Sequence, residues 1–186
     1  LRFITLSGIL TASITSDGWI ELDFPADPPV EATAPPALID ALGNPEVVSS
    51  ALGRGNWLIE TTGLEVVRDL EPDHRALLEL RDTDVPLGVI VTAVGEGLYD
   101  VVSRYFAPSA GVDEDPVTGS AHTTLGPFWA ERLGKNELLA KQISHRGGVL
   151  RVEVRGGRVQ LGGQAVTVFR GELGGDVLAE RMARRL

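Results

Sequence analysis

The sequence contains no cysteine and a single methionine. Disulfides, zinc–thiolate centres and thiol-based mechanisms are therefore excluded from this chain. Histidine is scarce too: His74, His122 and His145 fall in no H-x-x-x-H or comparable ligand spacing, so no metal is expected. No apolar run approaches the roughly 18 residues of a membrane span. The opening Leu1-Arg2-Phe3-Ile4-Thr5 carries no secretory signal pattern. Absent disulfides and signal lead to the expectation of a cytoplasmic protein with no membrane contact.

Basic charge is in short supply, with 17 Lys and Arg against 26 Asp and Glu. Residues 1–130 hold six basic and twenty acidic groups, so the chain makes a poor nucleic-acid binder. The basic excess falls after residue 130, where Arg151, Arg155 and Arg158 are spaced as on the solvated face of a sheet.

What is present is a chain of 186 residues, 43% apolar and 23% charged, enough for a sizeable core and too apolar for disorder. Alternation predicts a hairpin over Thr11–Phe24 about Ser16-Asp17-Gly18. Five prolines from Pro25 to Pro36 mark a connector, and a short helix over Ala37–Leu42 stops at Gly43. Strands are predicted at Val47–Leu52, Trp57–Thr61, Leu64–Val67, Val85–Val94 and Tyr99–Phe106, with a helix after Pro72 carrying Leu77, Leu78 and Leu80. A loop over Pro108–Val117 leads to a helix over Thr118–Leu133, kinked at Gly126-Pro127 and closed by Gly134. Strands at Val149–Val154, Arg158–Leu161 and Ala165–Phe169 and a helix over Asp176–Arg185 complete the reading.

One pattern occurs twice. Gly8-Ile9-Leu10-Thr11-Ala12-Ser13-Ile14-Thr15 matches Gly148-Val149-Leu150-Arg151-Val152-Glu153-Val154-Arg155 in its apolar positions. After each turn, Trp19-Ile20-Glu21-Leu22 matches Arg158-Val159-Gln160-Leu161. Any two hairpins alternate alike, so duplication and coincidence both remain open at this level. If the repeat is real, the elements preceding the second hairpin have no counterpart before the first, and about a hundred residues are expected upstream.

The stretch Gly111-Val112-Asp113-Glu114-Asp115-Pro116-Val117-Thr118-Gly119-Ser120-Ala121-His122 delivers a helix N-terminus from a loop. Asp115-Pro116 suits an N-cap followed by proline at N1. Free N–H groups at Gly119, Ser120 and Ala121 would favour an anion, and the missing side chain at Gly119 would let it approach. A plain capped helix fits the same residues. There is no G-x-S-x-G elbow, and Ser120 and His122, two apart, diverge on a helix. The Gly-Gly pairs bracket strands and read as turns, not a nucleotide loop.

These residues resemble the phenazine-biosynthesis PhzF-like isomerases. The likeness runs through Arg104-Tyr105-Phe106-Ala107-Pro108, Glu114-Asp115-Pro116-Val117-Thr118-Gly119-Ser120-Ala121-His122, Pro127-Phe128-Trp129, Gln142 to Gly148, Gly162 to Val166, and Asp23-Phe24-Pro25. It implies an α+β, diaminopimelate-epimerase-like fold: a mixed sheet closed nearly to a barrel around a central helix, in two pseudo-symmetric lobes facing each other. On that basis residues 1–28 are the last hairpin of a first lobe, 29–172 a complete second lobe, and 173–186 a terminal helix.

The resemblance also implies a cofactor-independent proton shift on a small carboxylate-bearing substrate. Asp115 matches an active-site carboxylate that orients substrate and assists proton movement, and Gly119 and Ser120 match the residues that hold the substrate carboxylate. His122 matches a common pattern and is assigned no catalytic role. The family's general base is a glutamate of the first lobe, which no residue here matches. Glu114 is the tempting substitute, and its side chain is expected to point away. This chain alone is therefore expected to be inactive, with a homodimer or a missing N-terminal lobe as its partner. The alternative is a non-catalytic carboxylate-binding or scaffolding module.

Overall fold

The structure is a computed structural model that describes residues 1–5, 8–80 and 88–171. Strands β1 (Arg2–Thr5), β2 (Gly8–Ile14), β3 (Ile20–Pro25) and β4 (Val30–Glu31) precede helix α1 (Pro36–Ala41). Strands β5 (Val47–Leu52) and β6 (Asn56–Thr61) lead to helices α2 (Leu64–Arg68) and α3 (His74–Glu79). Then come β7 (Gly88–Val94), β8 (Val101–Phe106), α4 (Gly119–Leu133), β9 (Glu137–Gln142), β10 (Gly148–Arg155) and β11 (Arg158–Gly163).

All the strands form one mixed sheet in the order β1-β2-β3-β11-β10-β9-β8-β7-β6-β5-β4. The two parallel pairs, β6–β7 and β8–β9, are each joined through helices, α2–α3 and α4 respectively. The linking helices pack on opposite faces. Leu38, Val67 and Leu77 share one core with Trp57, Val91 and Phe106. Leu125, Phe128 and Trp129 of α4 share the other with Leu58, Ile90, Leu138, Val152 and Leu161.

The sheet curls about α4, which is why that helix is buried on nearly every side, including His122, Thr124 and Gly126. A Cβ at Gly126 would lie 3.0 Å from Val152 and 3.3 Å from Val154, so a larger residue would push these valines aside where α4 seats on β10. Trp129 Nε1 donates to Thr92 Oγ1 (3.0 Å), which in turn donates to the Val102 carbonyl (2.7 Å), pinning the helix to β7 and β8.

The expected barrel does not close. Strands β1 and β4 are the two edges, and no pairing joins them among the described residues. The reason lies in the connector after β3. Pro28 and Pro29, directly before β4, cannot donate to a ladder, and β4 is only two residues long. Asp27 attaches to α4 instead: its N–H donates to the Thr123 carbonyl (3.0 Å) and its carboxylate accepts from Thr124 Oγ1 (3.0 Å).

Local expectations also need correction. Leu64–Val67 is helix, because four apolar-rich residues carry too little period to separate the two states. Ala165–Phe169 forms no strand, and Val166, Val168 and Phe169 are exposed. Strand β9 has no counterpart in the sequence reading, since Leu, Ala, Lys and Gln are weak strand formers. It exists because it fits between β8 and β10, burying Leu138, Ala140 and Gln142. Helix α4 runs on through Pro127. The residues expected as a terminal helix (176–185), and those expected to start the β7 strand (85–87), lie outside the described residues.

The two matching hairpins lie side by side. β3 pairs with β11 so that Leu22 faces Leu161, its own counterpart in the repeat. Ala12 pairs with Leu22 just as Val152 pairs with Leu161. A local two-fold therefore relates β2–β3 to β10–β11.

Candidate functional site

The N-terminus of α4 is assembled by a buried amide. Gln142, fully buried on β9, accepts at Oε1 from the Thr118 N–H (2.8 Å). Its Nε2 donates to the Asp115 carbonyl (2.6 Å) and to Thr118 Oγ1 (3.1 Å). Thr118 Oγ1 donates in turn to Asp115 Oδ2 at 2.5 Å. The Asp115 N–H donates to the Tyr105 carbonyl (3.0 Å), tying the loop to β8. One side chain thus fixes both the carboxylate-bearing loop and the start of the helix. In the sequence Gln142 stands out only as part of the family likeness; the pairing with Thr118 is a long-range contact with no local signal.

Asp115 is not the N-cap. Thr118 holds that position, Gly119 begins the helix, and no side chain caps it. The N–H groups of Gly119, Ser120 and Ala121 enter no cap or loop hydrogen bond among the described residues. A Cβ at Gly119 would meet only Leu161 Cδ1, at 3.8 Å; Gly119 is half-buried and Ser120 is exposed. Ser120 lines a cavity of about 610 Å³ with Phe24, Asp27, Asn56, Tyr105 and Thr123. Asp115 and Gly119 are beside this cavity but do not line it.

Glu114 is committed elsewhere. Arg104 donates to it in bidentate fashion, Nε to Oε1 at 2.7 Å and Nη2 to Oε2 at 3.0 Å. Nη1 of the same guanidinium donates to the Leu70 carbonyl (2.7 Å) beyond the end of α2. The pair staples the loop before Asp115 to the opposite layer, and Glu114 is not free to act as a base.

His122 is fully buried, with Nδ1 2.7 Å from the Thr118 carbonyl, so Nδ1 carries the proton. Nε2 has no partner among the described residues. Burial lowers its pKa to about 4, only partly offset by the Thr118 carbonyl, and the ring is neutral at pH 7. The unfolded chain takes up this proton near pH 6.5 and the folded one near 4, so stability is full above 6.5 and falls as the pH drops through that window. The loss is about 3 kcal/mol at most. His122→Gln should remove this component, so that thermal melts of the variant gain on wild type between pH 7 and 4.5. A constant difference across that range would contradict it.

Tyr105, which lines the same cavity as Ser120, is also perturbed: burial, then the Asp115 charge, raises its hydroxyl pKa. Among the described residues there is no cluster of three or more His, Asp or Glu placed to hold a metal. None of their helices is long and apolar enough to cross a membrane.

A curled mixed sheet around a buried helix with an open N-terminus defines a class that is recognisable by sequence as well. The phenazine biosynthesis-like protein family (PhzC-PhzF) matches residues 1–171. An uncharacterized isomerase of Halalkalibacterium halodurans is 49% identical over 176 residues, covering 93% of this chain and 64% of its own length. The human phenazine biosynthesis-like domain-containing protein is 38% identical over 187 residues, covering 93% and 65%. The crystal structure of a phenazine biosynthesis protein, PhzF family, from Enterococcus faecalis superposes with a TM-score of 0.83 at 39% identity, covering 94% of this chain and 64% of that one. The chain belongs to the phenazine biosynthesis-like family, and it spans just under two thirds of the length of these relatives.

Proposed function

We propose that this chain is the substrate-holding part of a cofactor-independent isomerase that moves a proton on a small carboxylate-bearing molecule. The observation that carries the reading is the uncapped start of α4, where the Gly119 and Ser120 amides have no cap or loop partner among the described residues and Ser120 is exposed. Such amides, with the helix dipole behind them, bind a carboxylate. Asp115, fixed through Gln142 and Thr118, orients the substrate and assists proton movement.

The opposing base comes from outside residues 1–186. Support comes from the repeat: Leu161 is 4% exposed beneath α4, whereas its two-fold mate Leu22 is 36% exposed and Ile14 76%. Residues 1–28 are in this reading the last hairpin of a first lobe, covered there by an element equivalent to α4. Residues 29–172 are the second lobe.

The test is solvent-deuterium incorporation into a panel of small unsaturated carboxylic acids. A protein of the relatives' full length should incorporate deuterium into at least one of them, and residues 1–186 alone should not. Incorporation by the short chain would place the base within residues 1–186. Anion binding with no incorporation by either protein would favour a binding module.

A further inference from the structure

The cavity beside Ser120 contains a polar pair that the proposed chemistry does not use. Asn56 is 7% exposed, at the start of β6. Its Oδ1 accepts from the Tyr105 hydroxyl at 2.8 Å, across the sheet from β8. Both residues line the cavity. The strand between them begins with Gly88, the register partner of Asn56. A Cβ there would overlap the Tyr105 hydroxyl and lie 2.6 Å from Asn56 Oδ1. The notch at Gly88 is what lets the phenol and the amide meet.

With Oδ1 engaged, the amide orientation is set and Nδ2 is the group left over. It donates no hydrogen bond among the described residues, and it is not enclosed by protein. Water satisfies it in the free protein, so a bound group that displaces this water must accept from Nδ2 in its place. The phenolic oxygen, its hydrogen engaged on Asn56 Oδ1, still offers lone pairs. Donor and acceptor therefore stand together in the lining of the cavity, which Ser120 at the start of α4 also lines.

We infer that Asn56 and Tyr105 form a subsite for a neutral group bearing both an acceptor and a donor, a hydroxyl or a primary amide. Resting on the proposed carboxylate site at α4, this narrows the substrate to a small acid carrying such a group within the same cavity. Substrates lacking it leave Nδ2 unpaired, and that is the basis of discrimination. Tyr105 is a positioning residue for Asn56 as well as a contact.

Benzamide is a suitable probe because it has the amide and no charge, so its binding does not depend on the α4 amides. Titrated into ¹⁵N-labelled protein at millimolar concentration, it should shift the Asn56 side-chain amide signals. Affinity should fall about tenfold in Asn56→Leu and about threefold or more in Tyr105→Phe. Backbone dispersion reports whether each variant folds, and Tyr105→Phe, which deletes one oxygen, carries the test if Asn56→Leu does not. Unmoved Asn56 signals, or equal affinity in wild type and Tyr105→Phe, would overturn the subsite. Inorganic sulfate run in parallel reads the α4 amides separately. Benzamide binding without sulfate binding supports the subsite and counts against the carboxylate reading. Sulfate binding without benzamide binding does the reverse.

Discussion

Replacing Asp115 with asparagine, in a protein of the relatives' full length, should lower turnover by about 100-fold. It should leave stability nearly unchanged. The backbone anchors of this residue, its N–H on the Tyr105 carbonyl and its carbonyl under Gln142 Nε2, do not involve the side chain. Asparagine Oδ1 also keeps accepting from Thr118 Oγ1 as Asp115 Oδ2 does. What disappears is the negative charge and the capacity to take a proton. A cap role does not compete as an explanation, since Thr118 is the N-cap and no side chain bonds there. Steady-state kinetics on both proteins decide it, and turnover within twofold of wild type would reduce Asp115 to scaffolding.

Gln142→Leu should be the most damaging single change to the fold around the site. It deletes three hydrogen bonds, at 2.8, 2.6 and 3.1 Å, from a side chain with no exposure. The Thr118 N–H, itself buried, and the Asp115 carbonyl lose their partners in a region that water does not reach freely. At about 1–3 kcal/mol for each buried group left unpaired, the expected cost is about 3 kcal/mol or more. Urea denaturation measures it, and the midpoint should fall without a large change in slope. Anion binding at α4 should weaken as well, since the loop and the first turn lose their common anchor. A shift below about 0.5 kcal/mol, the low end for a single hydrogen bond, would show that the loop is held by its other anchors: the Arg104–Glu114 pair, the Asp115 N–H on the Tyr105 carbonyl, and Ser144 Oγ, which donates to the Pro116 carbonyl.

The parts of the fold legible in the sequence are those written in local pattern. The β2–β3 and β10–β11 hairpins announce themselves by alternation and a turn, and the long helix by its length and Gly134, which sits at φ 65°. Their duplication is legible as a pattern, but the two-fold itself needs the Leu22–Leu161 pairing between distant strands. β9 is not legible, because nothing in Glu137–Gln142 favours a strand until β8 and β10 flank it. The open edge of the sheet escapes the sequence through the same kind of gap: the prolines after β3 are visible, but not that Asp27 binds α4 rather than continuing a ladder.

At the site, Asp115, Gly119 and Ser120 stand out by motif. Glu114 points away as expected, though the reason, Arg104, is a tertiary contact. Gln142, Asn56 and Tyr105 act through partners 24 to 49 residues away, beyond anything spacing can reveal.

The central claim is that the N-terminus of α4 is a working anion site. ¹⁵N-labelled residues 1–186, titrated with sulfate at constant ionic strength, test it most directly. The amide signals of Gly119 and Ser120 should move together along one saturating curve. Gly119→Val, whose Cβ would meet only Leu161, at 3.8 Å, in the wild-type geometry, should abolish that curve and keep the remaining spectrum. Gly119 and Ser120 amides that stay still while exposed basic residues respond would contradict the account.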